Sequence, residues 1–125
     1  MKKISSSEMI LMKCIWDSKE ELSIPQLMEI VRDQYGKEYK RTTIVTFLSR
    51  LQEKGYVKTC RKGKLSYVHA VCTEEKYKAS MASKYTRLWF EGRPSSFLSA
   101  LIGEEGITKE ESERIRRILD ELDDD

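Results

Sequence analysis

Gly55 separates two rhythms in the sequence. Before it, Ile44, Phe47, Leu48 and Leu51 recur at i, i+3, i+4 and i+7, which lays one apolar stripe along a helix. After it, Tyr56-Val57-Lys58-Thr59-Cys60-Arg61 and Lys64-Leu65-Ser66-Tyr67-Val68-His69-Ala70-Val71 are rich in β-branched and aromatic residues and flank Lys62-Gly63. That pattern predicts a β-hairpin. A helix from about Arg41 to Lys54, stopped by Gly55, therefore runs straight into a hairpin whose tip, Arg61-Lys62-Gly63-Lys64, carries three cations.

Two more helices precede this pair. Ser5 with Glu8 three residues on is a capping-box pattern, and Met9, Met12, Ile15 and Trp16 come after it at helical spacing, with Leu11 nearby, until Asp17-Ser18-Lys19. Ser23 with Gln26 repeats the signal, Pro25 sits in the first turn where proline is tolerated, and Tyr35-Gly36-Lys37 closes the segment. Leu27, Ile30 and Val31 form its apolar stripe. The second half reads as helical throughout. A helix of roughly 74–90 carries Tyr77, Met81, Tyr85, Leu88 and Trp89, and Gly92 and Pro94 break it. A short segment, 96–102, holds Phe97, Leu98, Leu101 and Ile102 and is expected to end at Gly103. Thr108 and Glu111 form a third capping-box pattern, opening a last helix with Ile115, Ile118, Leu119 and Leu122 in one stripe; the Asp123-Asp124-Asp125 tail is expected to fray into solvent.

At 125 residues the chain suits one domain or two very small ones. Charged residues make up 35% against 39% hydrophobic, a lean apolar supply that suggests a core completed by another chain. No apolar run approaches the roughly 20 residues of a membrane span, and no signal peptide is evident, so a cytoplasmic protein without membrane insertion is expected. Cys14, Cys60 and Cys72 are widely spaced and His69 is the single histidine, which leaves too few ligands for a zinc site. No phosphate loop, serine elbow or metalloprotease helix occurs. Neither a metal, a cofactor nor an enzymatic activity is expected.

Charge is segregated along the chain. Residues 1–72 hold 14 Lys/Arg against 8 Asp/Glu, and residues 73–125 hold 9 against 13. Within 37–64 there are nine basic residues and two acidic ones, Glu38 and Glu53. A basic segment beside an acidic half points to a polyanionic partner. The face of the third helix opposite its apolar stripe reads Thr42, Thr46 and Ser49, flanked by Thr43 and Arg50. An ordinary solvated face more often carries Glu and Lys. Short hydroxyl side chains let a helix approach bases closely, threonine methyls can touch thymine, and an arginine can bond guanine or clamp a phosphate.

Three helices and a hairpin in about 70 residues form a winged-helix arrangement. The fold class expected is mainly α with a small β-hairpin: a winged helix-turn-helix head over 1–72 and a C-terminal helical dimerisation region over 73–125. Double-stranded DNA is the expected partner. Arg41, Thr42, Thr43, Thr46, Ser49, Arg50, Arg61, Lys62 and Lys64 are the candidate contacts, with Arg41, Lys62 and Lys64 assigned to phosphate.

Ile4-Ser5-Ser6-Ser7-Glu8 through Met12-Lys13-Cys14-Ile15-Trp16 resembles the opening of the penicillinase-repressor (BlaI/MecI) family of winged-helix transcriptional repressors. Thr43-Ile44-Val45-Thr46-Phe47-Leu48-Ser49-Arg50-Leu51, then Lys54-Gly55-Tyr56-Val57, resembles that family's recognition helix and the turn after it. Gly63-Lys64-Leu65-Ser66-Tyr67 and the stretch from Thr108-Lys109-Glu110-Glu111 to Ile118-Leu119 also match. The resemblance implies a homodimeric repressor on a pseudopalindromic operator of an antibiotic-resistance or stress operon, with C-terminal helices interlocked across a two-fold axis. Tyr77, Met81, Leu88, Phe97, Leu101, Ile115, Ile118, Leu119 and Leu122 are the expected dimer residues. In the antibiotic-responsive branch a membrane sensor-protease triggers cleavage at an Asn-Phe bond; Ala100-Leu101 stands there in this chain. Copper-responsive relatives use a C-terminal Cys-x-Cys, and no cysteine occurs after Cys72 here. The rival readings are a winged-helix protein-interaction adaptor and a cysteine-based redox sensor, for which Cys60, beside the basic hairpin, is the better candidate.

Overall fold

The computed structural model describes residues 1–123. The elements run α1 (Ser6–Asp17), β1 (Leu22–Ser23), α2 (Ile24–Tyr35), α3 (Arg41–Glu53), β2 (Val57–Lys62), β3 (Leu65–Ala70), α4 (Glu74–Phe90), α5 (Pro94–Glu105) and α6 (Lys109–Asp123). They fall into two compact units, Met1–Ser80 and a second that begins at Met81.

In the first unit the helix starts are fixed by side chains. The Ser5 and Ser23 hydroxyls accept from the Glu8 and Gln26 amides at 3.2 and 3.3 Å, and the Glu8 and Gln26 side chains accept in return from the Ser5 and Ser23 amides. Gly36, in the left-handed region at φ 65°, closes α2. Leu11, Met12, Ile15, Leu27, Val31, Ile44, Leu48, Leu51, Tyr56, Val57 and Val68 make one core. In α1 the expected stripe is shifted: Met9 is exposed, and Leu11 and Cys14 are buried instead. The core-facing positions run through Glu8, Leu11, Met12 and Ile15, and Met9 lies one residue off that line. The Trp16 indole N–H donates to the Cys72 carbonyl at 2.9 Å, tying α1 to the end of the sheet.

The sheet has three strands in the order β1-β3-β2, all antiparallel. The hairpin pairs Val57 with Ala70 through Lys62 with Leu65, so Arg61 and Lys62 belong to β2 and the turn itself is Gly63-Lys64, with Gly63 at φ 66°. The two-residue β1, absent from the sequence expectation, pairs Leu22 with Val68 and Ser23 with Tyr67. One residue, Ser23, thus serves both as a strand end and as the cap of α2.

The second unit differs in kind. Thr108 caps α6 by accepting from the Glu111 amide at 3.1 Å, and Phe90 and Phe97 meet edge to face at 5.4 Å. α5 does not stop at Gly103. It starts at Pro94 and runs to Glu105, and Gly106, at φ 75°, ends it. An exposed glycine inside a helix costs about 1 kcal/mol and does not by itself break it. Among the described residues, none of α4, α5 or α6 is buried, whereas Leu88, Trp89 and Leu122 are 62%, 71% and 66% exposed. The α6 helix extends through Asp123; the expectation for Asp124 and Asp125 falls outside the described residues. No helix of the described residues is long and apolar enough to cross a membrane.

Candidate nucleic-acid interface

α3 buries Ile44, Leu48 and Leu51 and half-buries Phe47, which meets Tyr39 edge to face at 5.4 Å. The same rotation turns Arg41, Thr42, Val45, Thr46, Ser49 and Arg50 outward, all exposed. Thr43 is half-buried at the margin. Arg41, Val45, Thr46, Ser49 and Arg50 line one open groove of about 700 Å³, closed on its far side by Thr59 and Ser66 of the sheet. The structure therefore brings four of the predicted contacts into one concavity and sets Thr42 and Thr43 beside it.

The polar groups of this face differ in what they can still do. The Thr46 hydroxyl donates to the Thr42 carbonyl at 2.9 Å, so towards a base it offers lone pairs and a methyl group. Arg41 and Arg50 have no ion-pair partner among the described residues, so both guanidiniums are available to phosphate or to a guanine edge. Val45, 40% exposed, is a groove-lining residue that the sequence pattern missed, because a β-branched apolar residue between two stripes reads as core. It offers a surface for a thymine methyl. Glu53, also on the lining, puts a carboxylate at the C-terminal end of α3 in this groove.

α3 is held to its neighbours at its C-terminal end. Gln52 Oε1 accepts from the Thr59 amide at 3.2 Å and from the Thr59 hydroxyl at 3.0 Å, joining α3 to β2. Lys54, which caps α3, donates to both carboxylate oxygens of Glu8 at 2.9 and 3.1 Å. The C-terminal end of α3 is thus tied both to β2 and to the start of α1.

At the hairpin end, Lys64 has no ion-pair partner among the described residues, and Arg61 Nε donates to the Gly63 carbonyl at 3.3 Å. Lys62 is committed elsewhere: its ammonium pairs with Glu21 and lies 5.6 Å from the centre of the Tyr67 ring.

The expected dimer residues divide. Tyr77 lies in the first unit, its ring 5.3 Å from that of Trp16 and 6.0 Å from that of Tyr56, so it packs on the head. A helical stripe alone could not say which neighbour covers it. Met81, Leu88, Phe97, Leu101, Ile118, Leu119 and Leu122 are exposed and Ile115 is half-buried. Of the cysteines, burial pushes the Cys14 thiol up to about 11 and also raises Cys72, which leaves Cys60 the exposed one. Among the described residues no group of three His, Cys, Asp or Glu could hold a metal.

Comparison with known proteins agrees with this geometry. The model of the penicillinase repressor family matches residues 4–121. The methicillin resistance regulatory protein MecI of Staphylococcus aureus is 26% identical over 116 residues, covering 93% of this chain and 92% of its own length. Its counterpart from Mammaliicoccus sciuri is 25% identical over the same span. Among solved structures, Streptococcus pneumoniae FabT in complex with DNA matches with a TM-score of 0.50 at 20% identity, over 97% of this chain and 74% of that one. That likeness concerns the fold, a helical chain with a winged-helix head.

Proposed function

Because this chain belongs to the penicillinase repressor family, and is thereby a winged-helix transcriptional repressor, we propose that it binds a pseudopalindromic operator as a homodimer. The observation that carries the reading is the outward face of α3. Thr42, Val45, Thr46 and Ser49 give it short side chains, and Arg41 and Arg50, which have no ion-pair partner among the described residues, edge it. In this reading Arg50 and the hydroxyls choose the bases, while Arg41, Lys64 and Arg61 fix the register on phosphates.

Two heads come from the second unit. From Met81 on, α4, α5 and α6 hold no buried residue among those described, yet expose Leu88, Trp89, Ile118, Leu119 and Leu122, which calls for a shared core. A second copy supplies one through an isologous interface. The names of the relatives, methicillin resistance regulatory proteins, favour an antibiotic-response operon as the target, and the family resemblance implies a membrane sensor-protease as the source of the signal. Since Ala100-Leu101 replaces the family's Asn-Phe, such a signal acts here through another bond or without cleavage. A repressor works where the chromosome is, so the cytoplasm is the proposed location.

Gel-shift of the full chain with genomic fragments at two salt concentrations tests this. Sequence-selective, salt-sensitive retardation supports it. Binding that is absent at low salt favours the protein-interaction adaptor instead. A DNA affinity abolished by mild oxidation and restored by a thiol favours redox sensing through Cys60, the exposed thiol.

A further inference from the structure

Glu21 sits just before β1, and its carboxylate lies between side chains of both strands of the hairpin. One oxygen pairs with the Lys62 ammonium; the other lies 3.3 Å from Nδ1 of His69 on β3. Residues 21 and 62 lie far apart in the chain; the registers that pair Leu22 with Val68 and Lys62 with Leu65 put both on one face of the sheet, where their long side chains meet. Lys62 is also kept close by the Tyr67 ring. The hydrogen bond from Lys62 holds the Glu21 carboxyl below the usual range, and Glu21 raises the Lys62 ammonium, so both ends are charged near neutral pH.

We infer that Glu21 acts as an internal substitute for a DNA phosphate, neutralising Lys62 in the free repressor and setting its affinity for DNA. The inference rests on the DNA-binding reading above. A carboxylate and a phosphodiester are both anionic acceptors, and an ammonium already paired with one gains little from the other. A lone Lys62 would release a counterion on binding, but a Lys62–Glu21 pair presents the duplex with no net charge at that point. Lys62 is well exposed, at 58%, and Glu21 half-buried, at 30%, so the pair stays in reach of solvent, and surface pairs of this kind are weak enough to exchange. Of the cations near the turn, Lys64 and Arg61 then do the electrostatic work, and Glu21 weakens the hairpin's grip in a way that is independent of sequence.

The experiment uses the full chain and a mixed-sequence duplex of about 30 base pairs, long enough for two half-sites one helical turn apart. Affinity is measured between about 50 and 200 mM salt for wild type, Glu21→Gln, Lys62→Ala and the double variant. Glu21→Gln should bind about two- to fivefold more tightly at low salt, and the log–log salt slope should steepen by about 0.9 for each chain bound. Lys62→Ala alone should change little, and in the double variant it should abolish the gain. Equal melting temperatures for wild type and Glu21→Gln exclude a change in folding as the cause. Unchanged or weaker binding by Glu21→Gln, with the wild type binding normally, overturns this inference alone. A wild-type chain with no salt-sensitive affinity for the duplex overturns the repressor reading with it.

Discussion

Lys54 Nζ lies 2.9 and 3.1 Å from the two carboxylate oxygens of Glu8, joining the end of α3 to the first turn of α1. Glu8 is almost fully buried, and its Oε1 also accepts from the Ser5 amide at 3.0 Å. Burial alone would raise its pKa, but the Ser5 amide, the Lys54 ammonium and the Ser5 hydroxyl together outweigh burial and hold it below the usual range. The anion is thus a structural part that fixes where α3 ends.

Removing one partner leaves the other short of hydrogen bonds in a buried place. Lys54→Met should lower the unfolding free energy of the head by about 1–3 kcal/mol, read by urea denaturation. It should also reduce DNA affinity, because the base of α3 loses its anchor.

The same carboxylate makes stability depend on acid. A folded pKa below the unfolded one means that its contribution is present above the ordinary glutamate value, about 4.3, and is lost as the pH falls through the depressed folded value. Wild type should therefore lose stability on acidification more steeply than Glu8→Gln. Denaturation midpoints measured from neutral pH to about pH 3 decide it, and parallel curves would refute the role given to Glu8.

Arg50 and Lys64 should fail differently. Arg50→Ala should cost about 1–3 kcal/mol on a preferred site and relax base preference at one position of each half-site. Lys64→Ala should weaken binding to all sequences alike and flatten the salt slope by about one unit for each chain bound. Competition binding with matched specific and mixed-sequence duplexes separates the two outcomes.

Leu119→Asp, on the exposed stripe of α6, should shift the chain from dimer to monomer in sedimentation. The head should keep its fold and its weak affinity for mixed-sequence DNA, and high-affinity binding should fall, because one head makes half the contacts. A variant that stays dimeric refutes the assignment of this stripe.

Much of the head was legible because its signals are local. Ser5 with Glu8, and Ser23 with Gln26, announce helix starts within four residues, and both boxes form. The outward position of Thr42, Thr46 and Ser49 is set by the burial of Ile44, Leu48 and Leu51 on the same helix. The features that escaped depend on contacts made elsewhere in the chain. β1 exists because Leu22 and Ser23 find Val68 and Tyr67; two residues carry no periodicity of their own. Gly103 reads as a stop because composition does not reveal φ, and the glycine with the positive φ that ends α5 is Gly106. Tyr77 joined the wrong stripe because its partners, Trp16 and Tyr56, lie far away in sequence. Lys62 looked like a free cation for the same reason: Glu21 is remote in the chain.

In the proposed function the outward face of α3 reads duplex DNA in two copies. The decisive experiment is selection of binding sites from a pool of random-sequence duplexes by the full chain, with Arg50→Ala run alongside. Two inverted half-sites should be enriched, their centres about one helical turn, or a whole multiple of it, apart, and one base position should lose its preference in Arg50→Ala. Enrichment of a single asymmetric element, or the same motif from both proteins, would contradict the proposal.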